Sequence, residues 1–326
     1  MDLTWRRLTP SDAAEMAAVC DAAAAADRIV GSGPRTVREL ADSFDVAGRA
    51  APPVHLGAFA DDRLAGFGAF AVSTAADPVH RMPFAGRVHP DFRRRGIGTE
   101  LLRRAVAGAP ALHALAFPDA PLELSMLTID DVPGQTALAA AAGFTPWRVN
   151  LKMSRELARQ DADALRVPTP EGLELVGFAS EYVEPLRAAH NTALVPDHPG
   201  STPTTAQLWA SRFTRDDFRA DLSFLALDRP SGTVAGYLLA NEHTPDPGTQ
   251  ARDAHLSTIA TLRAYRGRGV ASALIGAALA EAARQGYRTA SLDVHADNPS
   301  GAVRVYQRAG FRTARRATAH LRKIAV

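Results

Sequence analysis

The pattern of apolar and polar positions runs through the chain twice in the same order. The segments LTWRRLTPSDAAEMAAVCDAA and LELVGFASEYVEPLRAAHNTA each combine a short strand-like stretch, a turn and a stretch with apolar residues at helical spacing. The segments VHLGAFADDRLAGFGAF and LSFLALDRPSGTVAGYLLA each place two apolar runs around a turn of Asp, Arg, Pro or Gly, which predicts a hairpin. Each half therefore begins with a strand, a helix and a hairpin.

Both halves continue in the same way after the hairpin. A strand ending at Val88 or at Thr261 leads into a turn rich in arginine and glycine, and an amphipathic helix follows. A further strand, LELSML or TASLDV, precedes a helix and a Gly-Phe pair that starts at Gly143 or Gly310. An internal repeat of this length indicates a duplicated domain rather than a solenoid.

The repeat predicts an α/β chain of two tandem domains. Helices alternate with strands and hairpins in each half, which favours a mixed sheet covered by helices, an α+β arrangement. We expect residues 1–155 to form the first domain and residues 172–326 the second. Residues 156–171 are charged and then rich in proline, which is typical of a linker.

Composition agrees with two packed domains. A chain of 326 residues is long enough for two, and 46% hydrophobic against 22% charged residues supports a core in each. The net charge of +2 gives no bulk attraction to nucleic acid or to a membrane. Cys20 is the only cysteine, so we expect neither an internal disulfide nor a cysteine-based metal site. The sequence has no signal-peptide pattern and no apolar run of membrane-spanning length, so we expect a cytoplasmic protein.

The two arginine- and glycine-rich turns predict anion sites. A strand that turns directly into a helix leaves the first N–H groups of the helix without backbone partners, and glycine lets a ligand approach them closely. The helix dipole then favours an anion, typically phosphate. The donors would be residues 94–99 in the first half and residues 267–272 in the second. Water alone can also cap such a turn, but its occurrence at the same place in both repeats favours the anion site.

Two segments of the second half resemble the paired motifs of the GCN5-related N-acetyltransferase (GNAT) superfamily. RGRGVA matches the Arg/Gln-x-x-Gly-x-Gly/Ala loop of that family. NPSGAVRVYQRAGF matches a second family segment at Asn298, Ala302, Tyr306, Gly310 and Phe311. The resemblance extends over both halves and implies two tandem GNAT-type domains with acetyl-CoA as the cofactor.

The resemblance also implies which residues contact the cofactor. In this family the loop binds the pyrophosphate, and the strand before the loop contacts the pantetheine arm through its backbone. In the second half these positions are Ile259, Ala260, Thr261, Arg266, Gly267, Arg268, Gly269, Val270, Ala271, Ser272 and Asn298. In the first half they are Gly86, Val88, Arg93, Arg94, Arg95, Gly96, Ile97, Gly98 and Thr99.

Tyr306 is the candidate acid. The family's tyrosine lies near the CoA sulfur and can protonate the leaving thiolate, and Tyr306 occupies that position unless it is an ordinary core residue. The first half has Ala139 at the equivalent position and Asp131 in place of Asn298. We therefore expect the second half to be catalytic. The first is a degenerate domain that either still binds CoA or only serves as a scaffold.

His255 is the first candidate for the base. Some family members place a glutamate on this strand, eleven residues before the loop arginine, and His255 stands there in this chain. A histidine with a pKa of about 6.5 can accept a proton at neutral pH, directly or through a water. The first half has Met82 at this position. Glu242 and His243 are the next candidates, and a solvent-exposed histidine at a strand edge is the plain alternative.

The acceptor is expected to lie near the stretch HNTALVPDHPGSTPTTAQLW, which follows the first helix of the second half. Asn191, Asp197 and His198 in this stretch, together with His243, could hold a polar amine. The alternative is a solvated loop with Asx turns. We predict no metal site, because His190 and His198 have no further ligand at metal-binding spacing.

These features predict an acetyl-CoA-dependent N-acetyltransferase. The second half would transfer the acetyl group directly to a small polar amine, such as an amino sugar, an amino acid derivative or an antibiotic. Two alternatives stay open: transfer of another acyl group or to oxygen, and a non-catalytic CoA-binding regulatory protein. Nucleic-acid binding through Arg93, Arg94 and Arg95 is disfavoured because no aromatic residues are interleaved with them. We expect a monomer or homodimer with neither nucleic-acid nor membrane partners.

Overall fold

The chain folds into two compact units. The computed structural model describes residues 2–28, 36–45, 50–73, 76, 78–194, 203–243, 251–298 and 300–326. One unit contains Met1–Val149 together with Arg316–Val326, and the other contains Asn150–Arg315. Among the described residues, each unit has a six-stranded mixed sheet with helices packed against it, which confirms the predicted α/β class.

The first unit is built from the first half of the sequence plus the C-terminal strand. Its elements are β1 (Leu3–Arg7), α1 (Ala13–Ala26), α2 (Val37–Asp42), β2 (Val54–Ala60), β3 (Arg63–Phe70), β4 (His80–Val88), α3 (Ile97–Ala114), β5 (Leu122–Ile129), α4 (Pro133–Ala141) and most of β12 (Arg312–Ile324). The strand order is β1-β2-β3-β4-β5-β12. Only β4 and β5 run parallel among these pairs.

The second unit repeats this plan. Its elements are the main part of β6 (Thr145–Glu156), then β7 (Leu173–Gly177), α5 (Val183–Ala193), α6 (Ala206–Ala210), β8 (Phe224–Asp228), β9 (Val234–His243), β10 (Asp253–Thr261), α7 (Val270–Arg284), β11 (Thr289–His295) and α8 (Ala302–Arg308). The strand order is β6-β11-β10-β9-β8-β7, in which only β10 and β11 run parallel.

The last strand of each repeat completes the sheet of the other unit. Residues 317–324 of β12 pair antiparallel with residues 122–129 of β5. Residues 150–156 of β6 pair antiparallel with residues 289–295 of β11. The compact units therefore differ from a division into residues 1–155 and 172–326, because each repeat gives its final strand to the other sheet.

The segment expected to be a linker is packed into the second unit. Leu157, Ala162 and Leu165 are buried, and they alternate with the charged residues that suggested a solvated connection. The backbone of Leu165 lies directly against α7, since a Cβ added at Gly276 would come within 2.7 Å of the Leu165 carbonyl oxygen. Part of the predicted linker is therefore packed against the second unit.

The helices α5 and α6 cover an apolar part of one face of the second sheet. Leu186 of α5 and Trp209 of α6 are fully buried against Tyr237 and Leu239 of β9 and against Ala260 of β10. Helix α7 buries Val270, Ala273, Leu274 and further apolar residues. The α5/α6 face, meaning the sheet face that carries Tyr237, Leu239 and Ala260, also carries the candidate active site.

Candidate active site

Strand β10 separates from β11 partway along its length. The two strands pair in parallel at residues 253–255 and 289–291, and β10 then continues to Thr261 with ladder partners on β9. In the first unit β4 likewise pairs with β5 at residues 80–84 and then runs on to Val88. Strands that pair at one end and diverge at the other leave a gap in which an extended ligand can reach backbone groups.

The turn after β10 has the geometry of an anion site. Gly267 and Gly269 adopt left-handed φ angles of +75° and +87°, and Gly269 is the N-cap of α7. A Cβ added at either glycine would meet no atom within 4 Å, so the space in front of the turn is open. The first N–H groups of α7, from Val270 to Ser272, begin at this point and suit a phosphate.

Arg266 and Arg268 hold this turn to neighbouring backbone. The Arg266 guanidinium donates to the carbonyl oxygens of Thr261 at 3.1 Å and Ala193 at 3.4 Å. The Arg268 guanidinium donates to the carbonyl oxygen of Glu171 at 2.9 Å. Both arginines therefore hold the loop in place through backbone carbonyl oxygens.

The corresponding turn of the first unit keeps the same backbone shape. Gly96 has a φ of +79° and is the N-cap of α3, whereas Arg94 adopts a φ of +62° where the second turn has glycine. A left-handed conformation costs a residue with a side chain roughly 1 kcal/mol or more. Arg93 donates to the carbonyl oxygen of Val88 and forms two hydrogen bonds, of 2.6 and 2.9 Å, with the carboxylate of Asp27.

A β-bulge distinguishes β10 from its counterpart in the first unit. The register with β9 shifts between Leu256 and Thr258, which leaves Ser257 as the extra residue. The pairing of β3 with β4 has no such shift. Because residues opposite each other share a sheet face, the bulge brings Thr258 onto the same face as His255. Bulges of this kind re-aim side chains beside active sites.

The register of the sheet gathers polar side chains on the α5/α6 face. We call this group the polar face; it consists of Lys152, Asn241, His243, Asp253, His255, Thr258, Thr289, Ser291 and Asp293. It adjoins the apolar area around Tyr237 and lies beside the gap between β10 and β11. A polar ligand placed there would be next to the end of that gap.

His255 is held in a defined orientation by a chain of hydrogen bonds. Its Nδ1 lies 3.0 Å from the hydroxyl oxygen of Ser291, and that hydroxyl donates to the buried carboxylate of Asp253. Since the hydroxyl proton is used on Asp253, the Ser291 oxygen accepts from Nδ1–H, which leaves Nε2 of His255 as a proton acceptor. Thr289 donates to the other oxygen of Asp253 at 2.6 Å.

The surroundings keep His255 uncharged. Burial, the neighbouring His243 and the Lys152 ammonium lower the pKa of His255 to about 3. Burial first, and then Lys152, also lower the pKa of His243. The Nε2 of His255 faces the carboxylate of Asp293 at 3.8 Å. A neutral imidazole in this setting can accept a hydrogen bond from an amine, but holding a full proton is unfavourable in the free protein.

Glu242 does not fit the role of base. Its carboxylate accepts hydrogen bonds from Arg219 at 2.9 Å, Arg252 at 2.7 Å and Tyr287 at 2.6 Å. These partners, Arg252 foremost, lower its pKa to about 2. Glu242 is opposite Ala254 in the ladder, so its side chain is on the other face of the sheet from His255. Glu242 instead forms ion pairs with Arg219 and Arg252.

Tyr306 is a buried residue of α8. Its side chain is 9% exposed and its ring meets Phe311 edge to face, with centroids 6.4 Å apart. Burial raises the pKa of Tyr306 to about 12, so the phenol keeps its proton at neutral pH. Arg155 of β6 donates to the carbonyl oxygen of Ala309 at the end of this helix. The equivalent residue of the first unit, Ala139, is fully buried in an apolar core.

The other predicted site residues either form hydrogen bonds that stabilise local structure or lie outside the described residues. Asn298 accepts hydrogen bonds from Ser300 and so orders the turn before α8. Asn191 exchanges two hydrogen bonds with the backbone of Thr204, which ties α5 to the segment before α6. Asp197 and His198 lie outside the described residues.

Several polar residues of this site were not found from the sequence. Lys152 reaches the polar face only because β6 joins the second unit, and burial lowers its pKa. Ser291 and Asp293 lie two positions apart on β11, and the sequence of that strand has no feature that singles them out. Arg212 approaches the same face from the segment after α6 and donates to the Thr258 hydroxyl at 2.8 Å. Its sequence context carries no motif.

His243, Asp253 and His255 also form the geometric outline of a cation site. One potential ligand atom from each lies within 4.8 Å of the others. However, the two imidazole rings stack with centroids 4.3 Å apart and an angle of 14°, so their lone pairs lie in separate, nearly parallel planes. Asp253 is already an acceptor for Ser291 and Thr289. This arrangement fits a hydrogen-bonded network better than metal coordination.

The model of the acetyltransferase (GNAT) family matches residues 22–117 and 183–311. The chain therefore belongs to this family, and it is an acyltransferase with two GNAT regions. This result confirms the resemblance seen in the loop and tyrosine motifs.

Two relatives of similar length support this assignment, and one solved structure of similar length has the same fold. The mycothiol acetyltransferase of Parafrankia sp. is 30% identical over 95% of both chains. That of Geodermatophilus obscurus is 31% identical over 94% of this chain and 92% of its own. A tandem GNAT protein from the clavulanic acid biosynthesis pathway has the same fold, with a TM-score of 0.75 at 20% identity over 100% of this chain and 99% of its own.

No helix in the described part of the chain is long and apolar enough to cross a membrane. The cytoplasmic location and the monomeric or dimeric state expected from the sequence stay predictions.

Proposed function

We propose that this acetyltransferase moves the acetyl group of acetyl-CoA directly to the amine of a small polar acceptor, at the site of the second unit. The observation that carries the proposal is the difference between the two repeats. Both have the glycine turn and the diverging strands. Only the second adds the Ser257 bulge, the oriented His255 and the buried Tyr306.

The residues of the second unit fit acetyl-CoA. The open space at Gly267 and Gly269 leaves the N–H groups of residues 267–272 free to hold the pyrophosphate. The edge of β10 from Ile259 to Thr261 offers backbone groups to the pantetheine arm. When bound, the cofactor supplies an acetyl thioester that an amine can attack.

Three groups of the chain then have separate roles in the transfer. His255 Nε2 accepts a hydrogen bond from the amine, directly or through a water, and relays the proton that the amine loses to solvent as the C–N bond forms, because its lowered pKa prevents it from keeping that proton. A backbone N–H freed from the ladder by the bulge donates to the carbonyl oxygen as charge builds on it. Tyr306 donates its proton toward the sulfur as the C–S bond breaks. With a pKa of about 12, its phenol acts as a hydrogen-bond donor until that charge has developed.

The polar face supports a polar, amine-bearing acceptor. Acidic and basic groups alternate across it, and apolar side chains are confined to the area near Tyr237. Two relatives are named mycothiol acetyltransferase, so a mycothiol-related amine is the first acceptor to test. Amino sugars, amino acid derivatives and amine-bearing antibiotics follow.

The proposal is tested by incubating the protein with acetyl-CoA and these amines, and detecting the acetylated product by mass spectrometry. A product that requires both amine and protein is expected. The regulatory alternative predicts acetyl-CoA binding without a product from any amine. The acyl alternative predicts faster transfer from a longer acyl-CoA, and the oxygen alternative predicts an ester in place of an amide.

A further inference from the structure

The guanidinium of Arg212 is a half-buried cation at the edge of the polar face. Arg212 follows α6, and its guanidinium carbon lies 5.1 Å from the ring centroid of Trp209. Its Nη2 donates to the hydroxyl of Thr258 at 2.8 Å. Within the described ranges, no carboxylate forms an ion pair with it.

A guanidinium withdrawn from water normally has a carboxylate partner. Arg212 has one neutral oxygen instead, although a guanidinium offers five N–H donors. Burial, and to a smaller extent the charge of Arg215, lower the pKa of Arg212, yet an arginine side chain remains charged in proteins. The site therefore contains a desolvated positive charge, and the described residues use only a small part of its hydrogen-bonding capacity.

The bulge at Ser257 determines where the guanidinium of Arg212 lies. Because Thr258 shares a face with His255, Arg212 is held on the same sheet face as the proton acceptor of the proposed reaction. The other end of the same face carries Asp253 and Asp293 around His255. An acceptor with an amine at one end and an anion at the other would match both charges.

We infer that Arg212 binds an anionic group, a carboxylate or a phosphate, of the acceptor. The inference rests on the proposed function insofar as acetyl transfer takes place on this face. The planar fork of a guanidinium suits either anion through paired hydrogen bonds. Thr258 accepts from one N–H and orients the remaining donors toward the ligand.

The test uses product-like probes that differ only in the anion. N-acetylglycine carries an acetylated nitrogen and a carboxylate, and N-acetylglycinamide replaces that carboxylate by a neutral amide. Each is titrated into the full-length protein by calorimetry, with and without saturating CoA, and inorganic phosphate is titrated separately. We expect N-acetylglycine to bind and the amide to bind about tenfold or more weakly. Phosphate binding that competes with N-acetylglycine would identify a general oxyanion site, and its absence a carboxylate site.

Variants identify the residue responsible. Arg212→Gln should reduce the affinity for N-acetylglycine about tenfold to a hundredfold. Arg212→Lys should retain part of it, and Thr258→Val should weaken it less than Arg212→Gln. Arg215→Gln is the matched control, since this nearby arginine is 55% exposed and pairs with Asp217, and it should leave the affinity unchanged.

Two results would overturn the inference: no binding of any anionic probe to the wild-type protein, or equal binding to wild type and Arg212→Gln. Acetyl-CoA binding, titrated on the same samples, is independent of Arg212. If the wild-type protein does not bind acetyl-CoA, that result would instead contradict the proposed function. Acetyl-CoA binding with anion affinity unaffected by Arg212→Gln would contradict the inference alone.

Discussion

His243 and His255, on neighbouring strands, stack with their ring centroids 4.3 Å apart and their planes 14° apart. Two imidazoles that close cannot both be protonated without repulsion, and both are partly withdrawn from water. Burial is the main cause that lowers the pKa of each, and the neighbouring His243 helps to lower the pKa of His255 to about 3. His255 therefore stays neutral throughout the physiological pH range.

This lowered pKa makes stability depend on pH. Unfolded His255 would titrate near its ordinary value of 6.5, so between pH 6.5 and about 3 the unfolded state binds more protons than the folded state. Stability must then fall as the pH drops below 6.5, by about 2 kcal/mol at pH 5 from this group alone. His255→Gln should therefore lose about 2 kcal/mol less unfolding free energy than the wild type between pH 7 and 5. The same pH dependence in both proteins would contradict the shift.

Ser291 should matter for the rate more than for cofactor binding. Ser291→Ala removes the link between Asp253 and His255, so the imidazole loses its fixed tautomer and orientation. We expect kcat to fall about tenfold or more, with the acetyl-CoA dissociation constant unchanged. Ser154, opposite Ser291 on β6, gives the matched control Ser154→Ala, which should retain kcat. Equal kcat values in the two variants would rule out a positioning role for Ser291.

Tyr306→Phe should slow acetyl transfer while preserving the fold. The side chain is buried against Phe311, and phenylalanine fills nearly the same volume. A general acid typically contributes about 100-fold or more, and we expect a loss near that lower value because of the raised pKa. The measurement is single-turnover acetyl transfer, with Tyr182→Phe as the control. Unchanged transfer would mean that Tyr306 is only a core residue.

The two glycine turns can be compared by cofactor stoichiometry. Gly269→Glu puts a carboxylate into the open space where we propose that the pyrophosphate binds, and it strains a residue with a φ of +87°. Gly96→Glu makes the same change in the first unit, where φ is +79°. Calorimetry with acetyl-CoA should show that Gly269→Glu abolishes the site needed for activity. If the wild type binds two molecules, Gly96→Glu should remove the other; if it binds one, Gly96→Glu should have no effect.

Acetyl transfer should continue without added metal. The stacked rings of His243 and His255 place their lone pairs in separate, nearly parallel planes, and Asp253 already accepts hydrogen bonds from two hydroxyl groups. Dialysis against a strong chelator should therefore leave kcat unchanged. The opposite result would be a loss of activity on dialysis that added zinc restores in the wild type but not in His243→Gln. It would show that the three side chains reorganise around a cation.

Much of this architecture follows from local sequence signals. Gly267 and Gly269 occupy backbone conformations that favour glycine, and the apolar spacing of α7 matches its buried residues. The bulge has no such signal, because Ser257 is an ordinary strand residue and its effect depends on the pairing with β9. Glu242 looked suitable as a base because a strand sequence alternates faces but does not say which face will meet the ligand.

The exchange of strands was also beyond sequence reasoning. β6 and β12 are corresponding strands of the two repeats, and each has a similar pattern of half-buried residues. Either could pair with β5 or with β11 on local grounds. Which strand pairs with β5 and which with β11 depends on the packing of the whole chain. The pairing of β6 with β11 brings Lys152 into the candidate site.

The exchange of β6 and β12 has a consequence for how this duplicated gene can evolve. Without β12 the edge of β5 would be bare, and without β6 the edge of β11 would be bare, which invites aggregation. A deletion that discarded the copy lacking the tyrosine would therefore also damage the copy that keeps it. The first repeat is thereby retained as a folding partner, whatever its own site does.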